Sequence, residues 1–389
     1  NTSITLICAG LGTLLFHLVT KRKVPVFLGS SFAFMGGIMA VIGNSRAGDP
    51  DFLEKLAATK GALIIAGLVY VAFALIIKLV GYEKVNKVLP PIVTGPVIIV
   101  IGLRLSSSAI NNAFYVNGEF SLKALFVTVC VLATVIAISI FAKGIFNLMP
   151  ILFAIIVGFI VSYAMGFCDF TTVREAHFFS FMDKSIRDQL LCVPVFRAEA
   201  ILAIAPIALV TMVEHVGDIT TNSAVTGQNF MVDPGVHRTL LGDGLATALA
   251  GLLGGPANTT YGENTGVLAV TKNYDPSIIR IAAVFAILLG IFGKIGAVIT
   301  SIPSPVIGGI SIVLYGMISS VGVRIIVNER LNFGDSRNLM IAAVILVLGI
   351  GCDSIPVYGT VTISGLALSA LVGIVLAQIL PESEDSVLK

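Results

Sequence analysis

Three carboxylates lie in segments otherwise apolar enough to be buried in a lipid bilayer: Glu214, Asp218 and Glu263. An acid is costly there, and intramembrane acids mark substrate sites and proton paths. A spacing of four puts Glu214 and Asp218 on one helix face. Two carboxylates that close in a low-dielectric site cannot both ionise cheaply, so at least one is expected to hold a proton. Glu263 lies in the stretch Asn-Thr-Thr-Tyr-Gly-Glu-Asn-Thr-Gly-Val-Leu-Ala-Val-Thr-Lys (258 to 272). That stretch is too short and too rich in Gly and polar residues to span as an ordinary helix, which points to a discontinuous element lining a midplane cavity. The pattern is that of a transporter with an acidic binding site.

The chain around these acids is 56% hydrophobic and 12% charged, with a mean hydropathy of +1.00. A soluble domain carries about 25% charged residues, so this is an all-α polytopic membrane protein embedded in lipid. Apolar runs of roughly 17 to 25 residues give about thirteen spans, centred near residues 11, 34, 69, 97, 131, 155, 208, 246, 264, 287, 314, 345 and 370. The runs near 34 and 264 are the irregular ones. If Lys21-Arg22-Lys23 is cytoplasmic, alternation puts Lys78, Lys84, Lys87, Lys143, Arg324, Arg330 and Arg337 on the same side. The segment from about 167 to 197 then falls outside and the acidic tail after Pro381 inside. A net charge of +2 without a long basic block excludes a nucleic-acid surface.

An internal repeat organises the spans. Pro91, Gly95 and Gly102 match Pro305, Gly309 and Gly316 at one offset, 305 − 91 = 214. Those matches fall in the fourth and eleventh spans, so the unit is seven spans and its second copy must be inverted. The second and ninth spans, the irregular pair, are also seven apart. Each joins an extended half to a short helical half: Val24 to Phe32 with a Ser-Ser helix start, and Asn258 to Gly262 before a helix from Glu263 to Thr271. Two half-helix N-termini are therefore expected to converge near the midplane, offering backbone N–H groups and positive dipole ends. Two kinked helices packed through glycines are the plainer reading. Two sevens make fourteen, so one N-terminal span is expected in the full protein beyond the thirteen counted.

The residues resemble the nucleobase/ascorbate transporter family, most closely its bacterial uracil permeases. The signature of Gln or Glu, Asn, any residue, Gly, four residues, Thr and a basic residue is met by Glu263, Asn264, Gly266, Thr271 and Lys272. Glu214-His215-Val216-Gly217, the run from Asp233 to Arg238 and the run from Gly29 to Phe34 extend the likeness over essentially the whole chain. The resemblance implies a seven-plus-seven inverted-repeat fold with short β-strands in its two discontinuous spans. It also implies a core (substrate-binding) domain of residues 1–83 and 198–300, and a gate domain of residues 84–197 and 301–389. Uracil would lie between the half-helices, held by Glu214, Glu263 and the backbone N–H groups of Gly262 and Phe32, with Tyr261 and Tyr315 lining the pocket. Transport would be uracil:proton symport by alternating access in the bacterial cytoplasmic (inner) membrane, in a homodimer, without cofactor or metal.

Uracil has two ring N–H donors, two carbonyl acceptors and a flat uncharged face, so carboxylates, backbone N–H groups and an apolar or aromatic wall suit it. In this family Gln at the first signature position resembles the purine and ascorbate branches, so Glu263 argues for uracil. Asp218 departs from the resemblance, because uracil permeases place His there and Asp is closer to the purine branch. Asp218 is therefore expected to take part in proton coupling with Glu214 and Glu263, and a xanthine or other purine:proton symporter stays open. An anion exchanger or channel shares the facing half-helices, but two acids repel anions. An enzyme lacks support, since no Ser/His/Asp set, metal-spaced cluster or phosphate loop is present.

Other polar residues have plainer readings. His17 and His215 are expected to be hydrogen-bonded packing histidines, Asp243 a helix-start or interface residue, Arg104 and Lys294 snorkelling cations, and Asp353 solvated. Cys168 and Cys192 flank the outer segment, where a disulfide is an option, and the other cysteines read as packing residues.

Overall fold

The computed structural model describes residues 1–43, 45, 49–81, 90–352, 354–358 and 361–381. Each of the thirteen expected span centres falls within a helix. Full-length spans such as Phe52–Val80, Leu122–Phe141 and Ser304–Asn328 are long and apolar enough to cross a bilayer. The two irregular spans are half-helices, Ala33–Ile42 and Gly262–Thr271, each preceded by a three-residue strand.

Those strands, Leu28–Ser30 and Asn258–Thr260, pair antiparallel with Leu28 opposite Thr260, Gly29 opposite Thr259 and Ser30 opposite Asn258. An open two-stranded strip inside a membrane must satisfy its outer edges without water. Buried side chains do this. The Leu28 amide donates to Thr13 Oγ1 at 2.9 Å, and the Val26 carbonyl accepts from His17 Nε2 at 3.0 Å. Asn258 Nδ2 donates to the Cys8 carbonyl at 2.7 Å, and Thr247 Oγ1 to the Asn258 carbonyl at 2.5 Å. Beyond the strands, the Ser31 amide reaches the Ala257 carbonyl at 2.8 Å and the Tyr261 amide the Phe27 carbonyl at 3.3 Å. The chain breaks are thus held from both sides by the helices Thr2–Val19 and Val236–Leu253.

The helices sort into two packing groups. Thr2–Val19 lies against Val236–Leu253 and Pro276–Ile291, while Phe52–Val80 packs along Val236–Leu253. In the other group Ser304–Asn328 packs on Pro91–Arg104, Ser106–Phe114 and Leu122–Phe141, and Ser336–Gly351 packs on Pro91–Arg104 and Gly365–Ile379. Three of the repeat glycines, Gly95, Gly102 and Gly309, give this second set close contacts, whereas a Cβ at Gly316 would meet nothing within 4 Å. At Gly102 the backbone comes against the Tyr315 carbonyl and Ser319 Oγ, leaving no room for a Cβ.

Several polar residues sit differently from the sequence expectation. Arg104 does not snorkel: its guanidinium donates to the Gly349 carbonyl at 2.8 Å and to the Cys352 carbonyl, capping the C-terminus of Ser336–Gly351. Lys294 likewise donates inward, to the Val173 and Arg174 carbonyls at 2.7 and 3.0 Å. Asp243 is not at a helix start but inside Val236–Leu253 and fully buried. Cys168 and Cys192 are both free thiols, their sulfurs turned to the Phe159 and Leu53 carbonyls. Lys84, Lys87, Asp353, the tail from 382 and the side chain of Glu263 lie outside the described residues.

The outer segment is bonded to the first packing group. Lys60, buried at 1% exposure, donates from Nζ to the carbonyls of Gln189 (3.1 Å) and Cys192 (2.5 Å), at the end of the helix Lys184–Leu191. The Val195 amide donates to the Ala57 carbonyl, and Arg197 pairs with Glu54. Charge-assisted hydrogen bonds contribute about 1.5–3 kcal/mol. Lys60→Met is therefore expected to release this segment, seen as faster proteolysis between 184 and 197 in outward-accessible protein; a cleavage rate equal to that of the parent protein would refute the tie.

Candidate functional site

One cavity of about 500 Å3 lies between Ile207–Thr226, which packs on Phe52–Val80 and Val236–Leu253, and Ser304–Asn328 of the second group, with a third helix completing its wall. The helix Ile207–Thr226 contributes Glu214, Asp218, Thr221 and Val225, at spacings of four, three and four. The half-helix Gly262–Thr271 contributes Gly262, Thr265, Gly266 and Ala269, and from the second group Ser304–Asn328 contributes Met317, Ser320, Val321 and Arg324. Each set recurs with the period of an α-helix, so each helix turns one stripe to a shared space.

The stripes also give the cavity its direction. The far end of Ile207–Thr226 belongs to the side marked by Lys21-Arg22-Lys23: Asn222 Nδ2 donates to the Pro25 carbonyl at 3.3 Å, Phe230 packs with Phe16, Val24 and Val26, and Lys23 pairs with Asp233. Arg324 lies near the same end of its own helix, which ends at Asn328 just before Arg330. The lining therefore runs from Glu214 and Asp218 to Val225, Ala269 and Arg324, and this second end lies on the basic side, the cytoplasmic one by the positive-inside rule.

Near the first end Asp218 is tied to the chain break. Thr260 Oγ1 donates to Asp218 Oδ2 at 3.1 Å, and the Asp218 carboxylate lies against Gly262 so closely that a Cβ there would sit 2.6 Å from Oδ1. Since the Thr260 hydroxyl spends its one proton on Asp218, it accepts from His215 Nδ1, 3.3 Å away. His215 Nδ1 also faces Asp243 Oδ2 at 3.4 Å, which accepts from Thr259 Oγ1 at 3.1 Å. His215 and Asp243 are both fully buried, so this chain of polar groups reaches from Val236–Leu253 through the paired strands to the cavity wall.

The sequence-selected residues separate into two places. Glu214, Asp218 and Gly262 line the cavity together. Neither half-helix has a side chain capping its N-terminus, so the first-turn N–H groups at Ala33 and Gly262 face the region of the break without such a cap. The second half-helix begins at Gly262, one residue earlier than expected, with Tyr261 at its cap position. Tyr261 itself folds over the strands: its ring covers Gly29 and its hydroxyl donates to the Ser30 carbonyl at 2.7 Å. Phe32 and Tyr315 meet edge to face, centroids 5.7 Å apart, in an apolar cluster with Leu105 and Ala109. Tyr315 is nine residues before Arg324, roughly 13 Å along the helix, so this pair lies toward the outer side of the cavity. The Glu263 side chain is outside the described residues.

Thr260, Thr265 and Arg324 were not selected from the sequence. Thr260 hides in the run Asn-Thr-Thr, whose β-propensity is all that a sequence displays. Arg324 was counted only as a topological charge, although Met317, Ser320 or Val321, and Arg324 already describe one helical face.

Paired chain breaks held between packed helices, with acids lining a cavity beside them, define a secondary transporter built on inverted repeats. The transmembrane domain of the cyanobacterial bicarbonate transporter BicA has the same fold (TM-score 0.54, 18% identity, 97% of this chain and 94% of that one). So does the murine anion transporter Slc26a9 in its inward-facing state (TM-score 0.62, 9% identity, 97% and 66%). The chain matches the profile of a permease family over residues 1–357 and belongs to that family, the nucleobase/ascorbate transporters. It is 46% identical to the uracil permease of Bacillus caldolyticus over 98% of this chain and 86% of that one. To the uracil permease of Bacillus subtilis it is 42% identical, over 99% and 88%. It is an integral multi-pass protein of the bacterial inner membrane.

Proposed function

We propose that the chain takes up uracil across the cytoplasmic membrane together with a proton. The observation that carries this reading is the convergence of Glu214, Asp218 and the N-terminus of the half-helix Gly262–Thr271 on one cavity. Carboxylates accept from the ring N–H groups, half-helix N–H groups donate to the carbonyls, and the apolar side of Met317 and Val321 meets the flat ring. Glu263 joins Glu214 in recognition, and Phe32 with Tyr315 closes the outer side above the bound ring. Naming of the relatives as uracil permeases favours this substrate.

Asp218 carries the coupling proton. Beside Glu214 in a site walled from lipid, it binds a proton from outside, which lets uracil approach without two bare charges, and it releases that proton inward. Residues 1–83 and 198–300 move as the core against a gate of residues 84–197 and 301–389. No covalent chemistry is involved, and no cofactor or metal is needed.

Asp218 also supports a second reading, a xanthine or other purine symporter of the same family. Uptake of labelled uracil with xanthine, uric acid and thymine as competitors separates the two. Uracil accumulation abolished by a protonophore and unaffected by xanthine is the expected result; accumulation indifferent to the protonophore would end the coupled reading, and stronger competition by xanthine would reassign the substrate.

A further inference from the structure

His215 stands in the middle of the buried polar chain and lines no part of the cavity. Its Nδ1 lies 3.3 Å from Thr260 Oγ1 and 3.4 Å from Asp243 Oδ2. The Thr260 hydroxyl donates its one proton to Asp218 Oδ2 at 3.1 Å, and Asp243 Oδ2 accepts from Thr259 Oγ1 at 3.1 Å, so both oxygens face the ring as acceptors. One nitrogen between two acceptors calls for a proton on it. The other nitrogen, Nε2, is buried without a partner among the described residues, and a proton there would be an N–H with no acceptor. The imidazole proton therefore sits on Nδ1. Phe16 walls the ring, edge to face with centroids 6.3 Å apart, and both side chains are fully buried.

We propose that His215 is a positioning residue for the transport site: with its proton on Nδ1 it commits the Thr260 hydroxyl to Asp218, and so holds the Asp218 carboxyl against the first turn of the half-helix Gly262–Thr271. The other tautomer would do the opposite. A bare Nδ1 is an acceptor, and at 3.3 Å it would compete with Asp218 for the one proton that Thr260 has. Asp243 decides between the two, since its Oδ2 accepts from an Nδ1–H and gains nothing from a bare nitrogen. With Asp218 Oδ2 engaged at the strand, Oδ1 is the oxygen that lies against Gly262, where a Cβ would stand 2.6 Å away. His215 thus acts through Thr260, with no contact to uracil required. Its role rests on the place of Asp218 in the uracil site proposed above.

Substitutions that copy one ring nitrogen at a time test this. In His215→Asn the amide nitrogen takes the position of Nδ1, in His215→Gln it takes that of Nε2, and His215→Leu keeps bulk without a donor. Equilibrium binding of labelled uracil to purified full-length protein is expected to weaken about tenfold in H215Q and H215L and to stay within about threefold of the parent in H215N. Equal loss in H215N and H215L, at equal melting temperature, marks a packing role and overturns the inference, as does binding by H215L at the parent affinity. Nitrogen NMR of parent protein isotope-labelled at its histidines needs no variant to fold. It is expected to show a buried ring protonated on Nδ1 alone, beside His17, whose Nε2 donates to the Val26 carbonyl and supplies the opposite tautomer. A spectrum in which every histidine ring carries its proton on Nε2 overturns the inference whatever the variants do. Parent protein that fails to bind uracil would overturn the substrate reading itself, an outcome distinguishable because it is seen before any substitution, and the spectrum then still decides where the His215 proton sits.

Discussion

Glu214→Gln is expected to lower uracil affinity by about 10- to 100-fold, because in the proposed site it replaces a carboxylate acceptor for a ring N–H with a neutral amide. Hydrogen bonds to charged groups contribute about 1.5–3 kcal/mol, and each 1.4 kcal/mol is a factor of ten in affinity. The amide also offers an N–H₂ where the substrate already presents a donor, so a mismatched orientation adds to the loss. Glu214 lies at one end of its helix stripe, followed by Asp218, Thr221 and Val225 toward the basic side. Equilibrium binding of labelled uracil to detergent-purified protein checks this, and binding by Glu214→Gln at the affinity of the parent would remove Glu214 from the recognition site. Glu214→Asp keeps the charge but shortens the reach, and intermediate binding is expected from it.

The acids were legible in the sequence because lipid makes them conspicuous: a charged residue inside an apolar run stands out whatever its neighbours are. The broken spans were legible for a related reason, since Gly and polar residues at midplane depth fit no continuous helix. What binds the broken segments was not. Thr13, His17 and Thr247 satisfy the edges of the extended segments from other helices, and nothing in a Thr or His on an apolar helix tells which backbone group it will meet. Asp243 illustrates the point: as part of Leu-Gly-Asp-Gly it reads as a helix entry, yet it lies buried beside His215 and Thr259. Its partners come from a helix and a strand that only the folded chain brings beside it. Arg104 and Lys294 follow the same logic: snorkelling is the default for a cation near a span end, and a backbone carbonyl within reach is a tertiary fact that the sequence does not display.

Gly262→Ala is expected to reduce uracil transport by about 100-fold, while Gly266→Ala, one turn further along the same stripe, is expected to leave a transporting protein. The physical difference is space. A Cβ on Gly262 would stand 2.6 Å from Asp218 Oδ1, closer than side-chain carbons approach oxygen, whereas a Cβ on Gly266 meets nothing within 4 Å. At Gly262 something must move. If Asp218 withdraws, it loses the 3.1 Å hydrogen bond from Thr260; if the half-helix withdraws, its N-terminal N–H groups leave the position from which the proposed site presents them to the substrate. Displacing a preorganised group by about 1 Å costs on the order of 100-fold where geometry decides the outcome. Gly266→Ala only narrows the cavity, so its effect should fall on larger competitors, with xanthine excluded before uracil. Uptake assays on both variants, with melting temperature measured beside them, separate the cases. A Gly262→Ala protein that folds and transports uracil at the parent rate would show that contact between Asp218 and the half-helix is incidental, and a Gly266→Ala protein as impaired as Gly262→Ala would show that helix flexibility, not room for Asp218, is what the glycines supply.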